Sequence, residues 1–202
     1  MMDDTQLDTL VARNPLDGHA GAFAAVSNSV TQIRSLPLAR HLNLRLAADE
    51  VHLVATELGQ ALPTRACTFS SSEVASVVWL GPDEWLVIDT STDPATRGGP
   101  GLEERLRRVL AGTRAAIVDQ SGQRVSVLVT GDAAGLLAKG TAIDMHPDAF
   151  PDGSALQSHL AQTIVVLLAR ERGAIEILVR SSFARYLADW LVDAASDPAA
   201  ND

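Results

Sequence analysis

The stretch Val74-Ala75-Ser76-Val77-Val78-Trp79-Leu80-Gly81-Pro82-Asp83-Glu84-Trp85-Leu86-Val87-Ile88-Asp89 is a run of β-branched, aliphatic and aromatic residues, cut once by Gly81-Pro82-Asp83. It predicts two strands, 74–80 and 84–89, joined by a tight turn. Trp79 and Trp85 lie six positions apart across that turn, which places them on adjacent strands. Upstream, 30–36 and 41–47 alternate well enough for two more strands, broken by Pro37. From Asp49 the spacing changes. Val51, Val54, Ala55, Leu58, Ala61 and Leu62 fall at i, i+3, i+4, the apolar stripe of a helix. Asp49 is placed to cap its start and Pro63 to stop it. Downstream, Leu102, Leu106, Val109 and Leu110 mark a second helix, with Arg105, Arg107 and Arg108 on or beside its wet face.

The remaining half repeats the order. Strands are predicted at 115–119 and 124–130, around Gln120-Ser121-Gly122-Gln123. A short helix from Asp132 to Lys139 is closed by Gly140. Strands follow at 162–169 and 174–180, turned by Glu171-Arg172-Gly173. Phe183, Tyr186, Leu187, Trp190 and Leu191 make a last amphipathic helix. The halves superpose at an offset of about 81 to 83 positions. Leu44-Arg45-Leu46 answers Val127-Leu128-Val129, and the helix from Asp49 answers the helix from Asp132. Two copies are too few for a solenoid, which needs at least three. The prediction is an α+β protein of two tandem strand-strand-helix-strand-strand-helix repeats, with helices packed on largely antiparallel sheets. The repeats take residues 28–112 and 113–193 and form one compact body. Residues 1–27 read as a loosely ordered arm, 194–202 as a flexible tail, and 91–101, with two prolines and three glycines, as an irregular loop.

The 202 residues include 16 basic and 25 acidic side chains, a net charge of −9. Such a chain repels phosphate, which excludes a general nucleic-acid binder. Cys67 is the only cysteine, so neither an intrachain disulfide nor a thiolate metal cage can form. The acidic start, Met1-Met2-Asp3-Asp4, lacks the apolar core of a signal peptide, and the longest aliphatic run, 164–169, is far short of the roughly 20 residues a spanning helix needs. A cytoplasmic protein with no membrane partner is expected.

Little in the chain carries chemistry by itself. Neither a dinucleotide fingerprint nor a P-loop is present. No two of His19, His41, His52, His146 and His159 have the i, i+4 spacing of a helical metal site. His146, in Asp144-Met145-His146-Pro147, reads either as a proton donor or ligand, or as a loop histidine holding a turn. Asp119-Gln120-Ser121 ends a strand without a nucleophile elbow, and an Asp and a Ser there ordinarily bond their own backbone. Lys139, the only lysine, sits where a cation meets the negative end of a helix dipole. Trp79, Trp85 and Trp190 read as core residues, or as interface anchors if exposed. No catalytic, cofactor-binding or metal-binding residue is assigned. Trp85, His146 and Phe150 are the candidates for contact with a partner.

Several segments taken together carry a resemblance. They are Leu80-Gly81-Pro82-Asp83-Glu84-Trp85-Leu86, Val118-Asp119-Gln120-Ser121 with Arg124-Val125, and Leu137-Ala138-Lys139-Gly140. Asp144-Met145-His146-Pro147, Phe150-Pro151 and Val179-Arg180-Ser181-Ser182-Phe183-Ala184 with Tyr186-Leu187 and Trp190-Leu191 complete the set. Leu42-Asn43-Leu44-Arg45 and Ala61-Leu62-Pro63-Thr64 extend it upstream. In this order, over residues 30–192, they resemble the gamma-subunit family of heterotetrameric sarcosine oxidases. The resemblance implies a subunit of a complex that demethylates sarcosine to glycine with O₂ and tetrahydrofolate, releasing hydrogen peroxide. It implies alpha, beta and delta subunits as partners. FAD, FMN, NAD and the folate site would belong to alpha and beta, zinc to delta, and no cofactor to this chain. The family in turn is similar to the N-terminal part of the folate-binding aminomethyltransferase fold of the glycine cleavage T protein, which contains tandem repeats. Its long C-terminal part is missing here. A noncatalytic gamma subunit is therefore the first expectation. The alternatives are a folate-binding module, or an aminomethyltransferase-like protein acting on its own with Asp119 as its one motivated acid.

Overall fold

The computed structural model describes residues 12–90 and 101–196. It contains ten strands in two five-stranded antiparallel sheets among these residues. After helix α1 (Ala20–Val26), the first repeat runs β1 (Thr31–Ser35), β2 (Arg40–Arg45), a 3₁₀ turn (Val51–Val54) leading into α2 (Ala55–Leu58), then β3 (Phe69–Ser71), β4 (Ala75–Gly81), β5 (Glu84–Asp89) and α3 (Leu102–Val109). The second runs β6 (Ala116–Asp119), β7 (Arg124–Gly131), α4 (Ala133–Ala138), β8 (Ala155–Leu160), β9 (Thr163–Ala169), β10 (Ile175–Arg180) and α5 (Ala184–Ser196). Each repeat thus carries one strand more than the spacing predicts. β3 is three residues long, and β8 reads Ala-Leu-Gln-Ser-His-Leu, so neither shows the apolar alternation of a half-buried strand.

The strand order is β3-β4-β5-β2-β6 in one sheet and β8-β9-β10-β7-β1 in the other. Strand for strand the two orders match, except that each repeat has given its first strand to the other's sheet. β1 pairs with β7 and β6 with β2. The sequence suggests that 115–119 and 124–130 flank one loop within a sheet. Instead that loop crosses between sheets, as does the β1–β2 connection. Pro37 helps to end the first ladder: Leu36 still donates to the Ser126 carbonyl at 2.9 Å, and the next residue has no N–H to give. Gly131, at φ +80°, closes β7 where β1 enters, and a Cβ there would strike the Val30 carbonyl.

Alternation of side chains gives each sheet an outer and an inner face. Leu42, Leu44, Val77, Trp85 and Val87 pack outward with Leu58, Leu102 and Leu106 from α2 and α3. Val127, Val129, Leu167 and Ile177 pack outward with Leu136, Leu137, Leu187 and Leu191 from α4 and α5. Inward, Val78, Leu86 and Ile88 of one sheet meet Val166, Leu168 and Leu178 of the other. The result is four layers, helix–sheet–sheet–helix. An isolated bridge between Thr68 and Ser154 ties the two sheets beside β3 and β8.

Three local expectations are corrected. Residues 12–27 do not form a loose arm. A 3₁₀ turn and α1 bury Leu16 and Phe23 against β1, β7 and α5, because two large apolar side chains repay the ordering of this short segment. The helix after Asp49 ends at Gly59, in the left-handed conformation, before Pro63 is reached, and no side-chain cap forms at its start. Ala194 to Ser196 continue α5, held by the buried methyl of Ala194. The remainder of the expected tail, the loop over 91–100 and residues 1–11 lie outside the described residues. Among the described residues no helix is long and apolar enough to cross a membrane.

Candidate functional site at the strand crossover

The two exchanged connections pass beside one another, and this is where polar groups converge. The β6–β7 loop is stitched to β2 by two bonds. Gln120 N–H donates to the His41 carbonyl at 2.7 Å, and His41 N–H donates to Ser121 Oγ at 3.1 Å. Ser121 donates both its N–H (2.8 Å) and its hydroxyl (2.5 Å) to Asp119 Oδ1. These bonds, the hydroxyl's first, hold the Asp119 carboxyl below its usual pKa. Arg13, Leu38, Arg40, Asp119, Ser121 and Ser181 help line a cavity of about 530 Å³ here. The Ser121 hydroxyl gives its proton to a carboxylate and accepts from a backbone amide. Among the described residues no histidine ring nitrogen bonds it, so the serine–histidine pair of a catalytic triad is not formed here.

Behind the loop, between the sheets, is a polar seam. His41 is 2 % exposed, and neither ring nitrogen has a hydrogen-bond partner. Burial lowers its pKa to about 4, with the charge of Arg124 acting the same way and Glu176 and Asp119 opposing. Glu176, also buried, accepts two hydrogen bonds from Arg170, at 2.9 and 2.7 Å. Arg170 also donates to Ser71 (2.9 Å) and Ser76 (3.1 Å) of the opposite sheet and stacks over Phe69 at 4.7 Å. Asn43 donates to Glu84 at 2.7 Å, and Arg45 donates to the other oxygen of Glu84 at 2.6 Å. From the sequence none of these seam residues has an assigned functional role, although His41 is one of the histidines weighed there and Asn43, Arg45 and Glu84 lie in the family segments. The available signal was the alternation in β2, which sets His41 and Asn43 on the face opposite Leu42 and Leu44.

The residues that were singled out lie apart from one another. Trp85 is 1 % exposed and donates its indole N–H to the Pro63 carbonyl at 2.8 Å. It is a core residue under α2 and α3, and as a partner contact it is corrected: a ring with no exposed area offers none. Phe150, 6 % exposed in the cluster under α4 and α5, is corrected for the same reason. His146 is exposed, in a turn where its Nδ1 accepts the Asp148 N–H (3.3 Å) and its carbonyl accepts the N–H of Phe150 (2.8 Å). Lys139 donates to the Ala194 carbonyl at 2.6 Å, so its cation serves the last turn of α5 rather than of its own helix. Trp79 pairs with Trp85 in register and is half-buried, and Trp190 lies against Gly140. Among the described residues no three His, Cys, Asp or Glu side chains are arranged to hold a metal.

Solved structures share parts of this fold. The glycine cleavage system aminomethyltransferase T of Bartonella henselae superposes with a TM-score of 0.55 at 13 % identity, covering 85 % of this chain and 48 % of that one. At that identity the likeness is one of fold. Much nearer is a chain of the heterotetrameric sarcosine oxidase from Corynebacterium sp. U-96 in complex with pyrrole 2-carboxylate, with a TM-score of 0.81, 27 % identity, and coverage of 93 % of this chain and 96 % of that chain. The sarcosine oxidase subunit gamma of Corynebacterium sp. (strain P-1) is 32 % identical over 194 residues, 94 % of this chain and 92 % of the relative. That of Arthrobacter sp. is 29 % identical over 194 residues, with the same coverage. The pattern of the sarcosine oxidase, gamma subunit family matches residues 45–197. The chain belongs to that family.

Proposed function

We propose that this chain is the gamma subunit of a four-subunit sarcosine oxidase and that its role there is structural. The observation that carries the reading is the near full-length likeness to a chain of a heterotetrameric sarcosine oxidase. The crossover supports the noncatalytic part: the Ser121 hydroxyl is tied to Asp119 and that of Ser181 to the Gly122 carbonyl, and His41 is sealed between the sheets. The partners are then the alpha, beta and delta subunits. The flavins, NAD, tetrahydrofolate and zinc that serve the oxidative demethylation of sarcosine belong to those chains, and this one holds none. Deleting its gene from the host tests the role. Loss of assembled enzyme, with the other subunits recovered as incomplete complexes, is the expected result. A complete complex of normal activity without this chain would refute it.

The crossover cavity favours one second reading, a folate-binding module. Arg13 and Arg40 on its wall suit the carboxylates of a folate tail, while Asp119 opposes them. Calorimetry of the isolated chain with tetrahydrofolate decides: no heat at millimolar ligand ends this reading.

A further inference from the structure

The sandwich does not close evenly. On the inner face of the β8-β9-β10-β7-β1 sheet, Ser126, Leu178 and Val166 form a row that the other sheet covers, with 7 %, 1 % and 3 % exposure. One pleat further along the same strands the cover stops. Arg124 and Arg180 stand directly opposite one another on β7 and β10, and Ile164 stands opposite His159 on β9 and β8. Val179 pairs with Val165, so Arg180 and Ile164 are one step beyond that pair at the same end of the sheet. Ile164 is 57 % exposed, although Val166 and Leu168 on the same face are buried. Just past β10, Phe183 and Tyr186 are 45 % and 39 % exposed, and the Tyr186 hydroxyl accepts the N–H of Gln162, which brings its ring beside the start of β9.

Two like charges face one another at this overhang. Six of the described arginines are answered by carboxylates: Arg40 and Arg107 by Glu103, Arg45 by Glu84, Arg105 by Glu57, Arg108 by Glu104 and Arg170 by Glu176. Arg124 and Arg180 have no carboxylate within 4.0 Å among the described residues. Arg124 donates to the neutral side-chain oxygens of Gln120 (3.0 Å) and Gln123 (2.8 Å). Like charges directly opposite in a sheet repel. Burial, and then the charge of Arg180, lower the pKa of Arg124, against a weaker pull from Glu84. In a protein of net charge −9, two arginines set directly opposite one another with no carboxylate between them lie at the same end of the sheet as the exposed Ile164. A carboxylate laid over the pair would relieve the repulsion, and apolar atoms beside it would cover Ile164.

Building on the proposed role as a subunit, we propose that this overhang is a docking surface for an acidic segment of a partner subunit. Asp or Glu side chains of that segment bind Arg124 and Arg180, and its apolar side chains pack on Ile164, Phe183 and Tyr186. The test is assembly of the full complex with Arg180→Glu, Ile164→Asp and, as a control, Arg65→Glu, an exposed arginine on the α2–β3 loop. Native mass spectrometry reads the fraction assembled, and melting of each isolated chain verifies folding. Assembly should weaken at least tenfold in Arg180→Glu and Ile164→Asp and be unchanged in Arg65→Glu. Wild-type-like assembly of both overhang variants would overturn the surface while leaving the subunit role intact. Failure of the wild-type chain to assemble would overturn that role and this surface with it. A photo-crosslinking residue at position 164 identifies the occupant. An Asp- or Glu-bearing peptide of another subunit is expected; a second copy of this chain, or its own N-terminal segment, would refute the proposal.

Discussion

His41 shows what alternation along a strand reveals and what it leaves hidden. The pattern of β2 separates Leu42 and Leu44 from His41 and Asn43. It does not say that the second face is buried, because the layer covering it comes from another part of the chain. Once covered, the imidazole is kept neutral. The sign of the consequence follows from its lowered pKa. Above about pH 6.5 the ring is neutral in both the folded and the unfolded chain, and stability is full. As pH falls from 6.5 to about 4, the unfolded chain takes a proton that the folded chain refuses, and stability is lost. A difference of that size corresponds to about 3 kcal/mol. His41→Gln should therefore flatten the decline in urea-unfolding free energy between pH 6.5 and 4, relative to the parent chain, and an unaltered slope would contradict the assignment. Trp85 and Phe150 carry the converse lesson. Large aromatic side chains lower the free energy most when fully buried, and nothing local to either residue distinguishes a core ring from an interface ring.

At the scale of elements, the apolar periods located most strands and helices to within a residue or two. Asp132, at the start of the predicted helix, caps α4 and accepts the Gly135 N–H at 2.9 Å. The exchange of β1 and β6 left no local trace, since which strand pairs with which is decided by contacts far apart in sequence. The same holds for the link between the sheets through Arg170. Its guanidinium joins Glu176 to Ser71 and Ser76 across the seam, a set spread over about a hundred positions. Because Glu176 is buried, Glu176→Ala strands a cation and should cost about 3 to 5 kcal/mol, measured by chemical denaturation. Arg170→Ala should cost a comparable amount, and the double variant should cost less than the sum of the two. Additive losses would show that the pair does not act as a unit.

For the whole molecule, the duplication was legible in the sequence, and so was the family, because many short motifs kept their order. The surface that meets other subunits was not. The motifs mark core and turns, whereas the overhang at Arg124, Arg180 and Ile164 exists only because two sheets of matching strand order fail to cover each other at one end. The most direct test is native mass spectrometry of the tagged chain purified from its own host, with a visible spectrum of the same sample. The account predicts an assembly with one copy each of four different subunits and the absorbance of bound flavin. A colourless monomer or homodimer of this chain alone would contradict it.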